Sequence, residues 1–185
     1  LAGGTHHAHY DFGSGFCIFN DLAYAARQVI HSGKAKRVLI FDCDVHQGDG
    51  TARILEEDPE IFTCSIHCEK NFPFRKSPSD LDIGLANNMQ DDEYLGVVDD
   101  TLQFLLKELT PDLVLYDAGV DVWQEDGLGK LDITWQGIEK RDNLVIKRCI
   151  EHNTPVATVI GGGYDRDHMR LAKRHAIVIE QAARF

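Results

Sequence analysis

The sequence lacks any apolar run near the ~18 residues a membrane span needs, which excludes a transmembrane chain. Its cysteines are few and unpaired in pattern. Cys17, Cys43, Cys64, Cys68 and Cys149 make an odd count with no C-x-x-C, which excludes a disulfide scaffold and predicts reduced thiols. The first residues show no signal-peptide pattern. A cytoplasmic location is therefore expected, or a nuclear one in a eukaryote. Basic charge is scarce: 19 Lys and Arg stand against 30 Asp and Glu, a formal charge of −11. Such a chain is a poor partner for nucleic acid and attracts cationic groups such as lysine-rich tails or polyamines. Low-complexity tracts and internal repeats are missing too, which excludes wholesale disorder.

What remains is an ordinary globular composition over 185 residues, roughly one domain by length. Four apolar, β-branched runs predict buried strands at Arg37–Asp42, Ile61–Ile66, Leu113–Asp117 and Val156–Ile160. Helical patterns lie between them at Asp21–His31 (capped by Asn20, stopped by Gly33), Thr51–Glu57, Asp92–Leu109, Thr134–His152 and Asp165–Ala183. The alternation predicts an α/β fold, a mainly parallel sheet with helices on both faces. Cys68–Asn88 fits neither period, and at that length a functional loop is expected.

In an open parallel sheet ligands bind beyond the carboxyl ends of the strands, and here all four strands run into polar groups there. The first gives Asp42-Cys43-Asp44-Val45-His46 and then Gly48-Asp49-Gly50; the second gives Ser65 and His67. The third gives Asp117 to Asp121, and the fourth gives Gly161-Gly162-Gly163-Tyr164-Asp165. Buried carboxylates are costly unless paired or bound to metal. Spacing of two puts Asp42, Asp44 and His46 on one side of an extended chain. Asp44 and His46, joined by Asp121, form a donor set that suits Zn²⁺ with a fourth position for water. Solvated strand-end acids around one satisfied histidine are the alternative. Two anionic ligands acidify bound water weakly, so a general base is needed. His6-His7 is the candidate, with Asp42 and Asp49 to orient the rings, although adjacent histidines also occur on surface loops.

The triple glycine lacks the Lys-Ser/Thr of a phosphate loop and the spacing of a dinucleotide fingerprint. It lets backbone approach a reaction centre and carries in Tyr164, whose phenol could donate to a carbonyl oxygen; a flexible turn with a half-buried tyrosine is the alternative. Gly15-Phe16-Cys17 and Phe72-Pro73 place two aromatics near these ends. Facing rings would form a narrow slot for an alkyl chain, while core packing explains either ring alone.

GGTHHAH, SGFCIFND, DCDVHQGDG, SIH, NFP, AGVD and GGGY, in this order, resemble the zinc-dependent histone deacetylase family. With Asp121–Gly129 and Asp91–Leu95, the sequence looks closest to the class IV branch and its bacterial relatives. The resemblance runs from Gly3 to about Ala183 and implies a three-layer α/β/α arginase–deacetylase fold. It implies one Zn²⁺ per chain on Asp44, His46 and Asp121, and a structural monovalent cation, K⁺, on Asp42 and Ser65 with the carbonyls of Asp44, His46 and Ile66. His7 with Asp49 would be the main general base, and His6 with Asp42 its electrostatic partner. Tyr164 would polarise the acyl carbonyl. Phe16 and Phe72, with Gly15, Gly162 and Gly163, would contact substrate.

Family domains carry a further segment before the Gly-Gly-x-His-His motif, so residues 1–185 resemble a single catalytic domain without its N-terminal part. An uncovered sheet edge would then favour self-association. The function implied is hydrolysis of the amide of an acylated lysine in a protein or peptide. A deacylase of acetylpolyamines or other small acylated amines is the alternative, for which Glu125 or Asp126 could act as a gatekeeping acid. A chain that binds metal or a partner without catalysis is the third reading.

Overall fold

A computed structural model describes residues 3–185. Five strands, β1 (Val38–Asp42), β2 (Ile61–Cys68), β3 (Leu81–Leu85), β4 (Leu113–Asp117) and β5 (Val156–Val159), form one sheet in the order β3-β2-β1-β4-β5. All four pairings are parallel. Side chains alternate across the central strand. Val38 and Ile40 face one layer with Leu22, Ala23, Ala26 and Leu55, from α1 (Asp21–His31) and α2 (Asp49–Leu55). Leu39 and Phe41 face the other with Val98, Leu102, Val145 and Ile177, from α3 (Asp91–Leu109), α4 (Trp135–Glu151) and α5 (His168–Ala182). Burial on both faces is why these strands read as continuous apolar runs, and the layers are α/β/α. No helix among the described residues is long and apolar enough to cross a membrane.

Helix starts follow side-chain caps. Asn20 accepts from the Ala23 N–H at 2.9 Å, and Thr134 caps α4 through the Gly137 N–H at 3.0 Å. The last helix starts at His168, later than Asp165, because Asp167 caps it through the Met169 and Arg170 N–H groups. The second starts earlier than expected, at Asp49. Strand β3 departs from the sequence expectation, which leaves Cys68–Asn88 without a period. It is an edge strand of pattern LDIGL whose first four residues are exposed or half-buried in alternation, with Asp82 and Gly84 diluting the β signal.

Candidate functional site

Register places the polar residues. Asp42, the last residue of β1, pairs with Ser65 on one side and Asp117 on the other, so three polar side chains share one rung. Beyond it the chain is held by its own acids. The Asp44 N–H donates to Asp42 Oδ1 at 3.0 Å, His46 N–H to Asp44 Oδ1 at 2.9 Å, and Val45 N–H to Asp121 Oδ1 at 2.9 Å. The Gly162 N–H donates to Asp44 Oδ2 at 2.7 Å. A Cβ on Gly162 would collide with the Asp44 and Asp121 carboxylates, so only glycine lets the β5 end approach them.

Asp44, His46 and Asp121 are buried and offer donor atoms within 4.8 Å of one another. His46 Nδ1 lies 3.1 Å from Asp44 Oδ1 and 3.1 Å from Asp121 Oδ2. Burial and the neighbouring Asp44 charge push the Asp121 carboxyl up to about 7, while its bonds to His46 oppose this. Burial works on Asp44 in the same direction, yet the charges of His6 and His46 outweigh it and hold Asp44 low. Two buried carboxylates facing one imidazole nitrogen are over-supplied with negative charge, which is the donor set a divalent cation stabilises.

The tandem histidines are pinned from α1 and α2. Asp21 accepts the Gly4 and Thr5 N–H groups at 3.1 and 2.8 Å. Asn20 Nδ2 donates to the Ala8 carbonyl at 3.1 Å, and the Thr51 N–H to the His6 carbonyl at 2.9 Å. His6 Nδ1 donates to Asp42 Oδ2 and His7 Nδ1 to Asp49 Oδ1, each at 2.7 Å, and the two Nε2 atoms face each other at 3.1 Å. Their environments push them apart. Burial alone would lower His6, but Asp42 and Asp44 raise it well above the ordinary value. Burial and the adjacent His6 charge lower His7, against the Asp49 bond.

A pocket of about 460 Å³ opens over these groups, lined by His7, Ser14, Gly15, Phe16, His46, Asn71, Phe72, Leu128 and Tyr164. His7 is on its wall and His6 is behind it. The Phe72 ring meets His7 edge-on at 4.8 Å, and the Phe16 ring lies 6.0 Å from Tyr164. Phe16 is 86% exposed and has φ of 64°, after Gly15 at 48°, a left-handed backbone that costs energy for a residue with a side chain. Burial and the charges of Asp44 and Asp121 raise the Tyr164 phenol, so it stays protonated and able to donate.

A Cβ on Gly163 would meet Val120, Leu171 and His175, and Tyr164 is the residue of this strap that lines the pocket. Neither candidate gatekeeping acid lines the pocket. Glu125 pairs with Arg170 at 3.1 Å, and Asp126 turns inward to accept the Tyr164 N–H at 2.7 Å. The sequence analysis gave no role to Arg141, or to Asn71 and Leu128 within the NFP and Asp121–Gly129 stretches. Asn71 Nδ2 donates to the Leu128 carbonyl at 2.9 Å and closes the rim. Arg141, fully buried, reaches from α4 to the carbonyls of Cys43, Ala118 and Gly119. Asp117 has both oxygens buried without a hydrogen-bond partner among the described residues, and burial with the Asp42 charge raises its carboxyl strongly.

Residues 1–179 match the histone deacetylase domain family. The chain belongs to that family. It is 52% identical over 183 residues to an uncharacterised protein of Picosynechococcus sp., covering 99% of this chain and 61% of the relative. It is 31% identical to histone deacetylase 2 of Arabidopsis thaliana, covering 92% and 45%. The crystal structure of a histone deacetylase homolog complexed with SAHA superposes with a TM-score of 0.82 at 26% identity, covering 98% of this chain and 50% of that one. The family chain thus spans between 45% and 61% of the length of these relatives.

Proposed function

We propose that residues 1–185 act as one catalytic domain, a zinc-dependent hydrolase of the amide bond of acylated lysine in a protein or peptide. The observation that carries this is convergence: His46 of the buried donor set, His7 and Tyr164 line one aromatic-rimmed pocket. Asp44, His46 and Asp121 would hold the metal, and a zinc ion in that set supplies Lewis-acid polarisation and acidifies water. The chain's own residues do the rest. Asp49 keeps the His7 proton on Nδ1, leaving Nε2 to take a proton from the attacking water. His6, bonded to Asp42 and with its Nε2 3.1 Å from His7 Nε2, is the electrostatic partner of that base. As negative charge develops on the carbonyl oxygen, the Tyr164 hydroxyl donates to it. His7 returns the proton to the amine nitrogen as the C–N bond breaks, and the acid's remaining proton passes to the amine, so carboxylate and ammonium leave.

Phe16 and Phe72 fit the sides of a linear alkyl chain, and Glu125, on the adjoining cleft that shares Leu128 and Tyr164, is tied to Arg170, which favours lysine over a polyamine. Asp42 and Ser65, partners in register, would hold the monovalent cation, K⁺, and stiffen the Asp44–His46 segment. Self-association would use the edge strand β5, whose residues are half-buried or exposed.

The test is metal content of the dialysed chain against Asp44→Ala, followed by hydrolysis of an acetyl-lysine peptide and of acetylspermidine. About one zinc per chain, lost in the variant, with preference for the peptide is expected. Preference for acetylspermidine would replace the substrate, and a zinc-loaded chain that hydrolyses neither would overturn catalysis.

A further inference from the structure

Tyr164 follows three consecutive glycines, Gly161 among them at φ of 60°. Such a strap has more conformational freedom than any other tripeptide, whereas a group acting on a transition state must be placed to within about half an ångström. Three bonds pin the strap, Gly161 N–H to the Gly3 carbonyl at 3.2 Å, Gly162 N–H to Asp44 Oδ2 at 2.7 Å and Val120 N–H to the Gly162 carbonyl at 2.7 Å, and all lie before Gly163. Among the described residues, the main chain of Tyr164 itself is tied by one hydrogen bond, to Asp126 Oδ2 at 2.7 Å.

Asp126 is in turn fixed. Its Oδ1 accepts the Leu128 and Gly129 N–H groups at 2.9 and 3.1 Å, so one carboxylate ties Tyr164 to the loop carrying Leu128, and both of these residues line the pocket. Behind it lies Arg174 of α5, fully buried, with its guanidinium 3.9 Å from the centre of the Trp123 ring. Arg174 Nη1 donates to Asp165 Oδ2 at 2.9 Å, and Nη2 points to Asp126 Oδ2 at 4.0 Å. The guanidinium thus braces the residue after Tyr164 and faces the carboxylate that holds Tyr164 itself.

We infer that Asp126, with Arg174 stacked on Trp123 behind it, is a positioning residue that clamps Tyr164 at the pocket. The inference rests on the reading that Tyr164 polarises the acyl carbonyl. Asp126→Asn separates the functions of the two oxygens. The single carbonyl oxygen of Asn can serve either the Leu128–Gly129 pair or Tyr164, and the pair offers two bonds against one, so Tyr164 is released.

The experiment compares wild-type zinc-loaded chain with Asp126→Asn by hydrogen exchange of the Tyr164 amide and by kinetics on an acetyl-lysine peptide. The variant should lose protection at Tyr164 with global stability retained. Its kcat should fall about tenfold to a hundredfold, the scale of a misplacement near 1 Å, with KM changed less than about twofold because the phenol acts in the transition state. In a Tyr164→Phe background the same substitution should cost nothing further. Undiminished protection at Tyr164, or an equal kcat loss in the Tyr164→Phe background, would overturn the clamp. A wild-type chain without hydrolysis refutes the catalytic reading instead, and the exchange arm still decides the clamp. Should Asp126→Asn not fold, Arg174→Lys, which keeps charge and removes the planar stack, is read by the same exchange and kinetics, with a smaller loss expected.

Discussion

Arg141 Nη1 donates to the Gly119 carbonyl at 2.7 Å, two residues before Asp121 in the chain. The same guanidinium reaches the Ala118 and Cys43 carbonyls at 3.0 and 3.3 Å and the Asp142 carboxylate at 2.9 Å. It therefore joins the β1 loop that carries Asp44 to the β4 loop that carries Asp121. A buried cation with these partners cannot be removed cheaply. Arg141→Met should destabilise the fold by about 3–5 kcal/mol, because Asp142 is left buried without its partner. Zinc affinity should fall with it. Urea unfolding with and without zinc measures both, and unchanged stability would refute the role.

Asp121→Asn removes one of two carboxylates from the buried donor set. The neutral amide is a far poorer ligand for a hard divalent charge, so zinc content after dialysis should drop well below the wild type while the strands remain intact by circular dichroism. Equal zinc content would remove Asp121 from the ligand set.

Tyr164→Phe keeps the ring against Phe16 and deletes the hydroxyl. Zinc content should be unchanged, and kcat should fall about 10²–10³, the usual cost of one preorganised donor to a developing oxyanion. Turnover equal to wild type at equal metal loading would end the assignment.

Asp99 and Arg148 join α3 to α4 through two parallel bonds of 2.7 and 2.9 Å. The Arg148 bonds hold the Asp99 carboxyl below its ordinary 3.8. A depressed carboxyl contributes stability above the unfolded value and loses it as pH falls through the folded one. The pair is partly exposed, so about 0.5 kcal/mol is expected near neutrality. The stability difference between wild type and Asp99→Asn should be present at pH 6, shrink below about pH 4, and diminish in high salt. A difference independent of pH would contradict the pairing.

Much of this was legible in the residues. The central strands are buried on both faces, so their apolar runs stand out, and Asp42, Asp44, His46, Asp121, His6, His7 and Tyr164 all lie where four strand ends converge. Strand β3 was not legible, because an edge strand with Asp82 and Gly84 carries little β signal. That Gly162 must lack a side chain was not legible either, because the Asp44 and Asp121 carboxylates that a Cβ there would meet come from distant parts of the chain. Asp126 looked like a rim acid from its place beside Glu125, since nothing local reveals that its acceptor oxygens are turned inward to three amides.

Local pattern by itself determined the strand-helix alternation, the donor types at each strand end and their two-residue spacing, since these depend on neighbours within a few positions. Only tertiary structure decided which histidine faces the pocket, that Asp126 turns inward, and that Arg141 and Arg174 tie the loops from behind. Those choices depend on long-range contacts: Arg141 lies 98 residues from Cys43, and Tyr164 lies 38 from Asp126. A buried guanidinium and a surface one have the same letter in the chain, and packing alone distinguishes them.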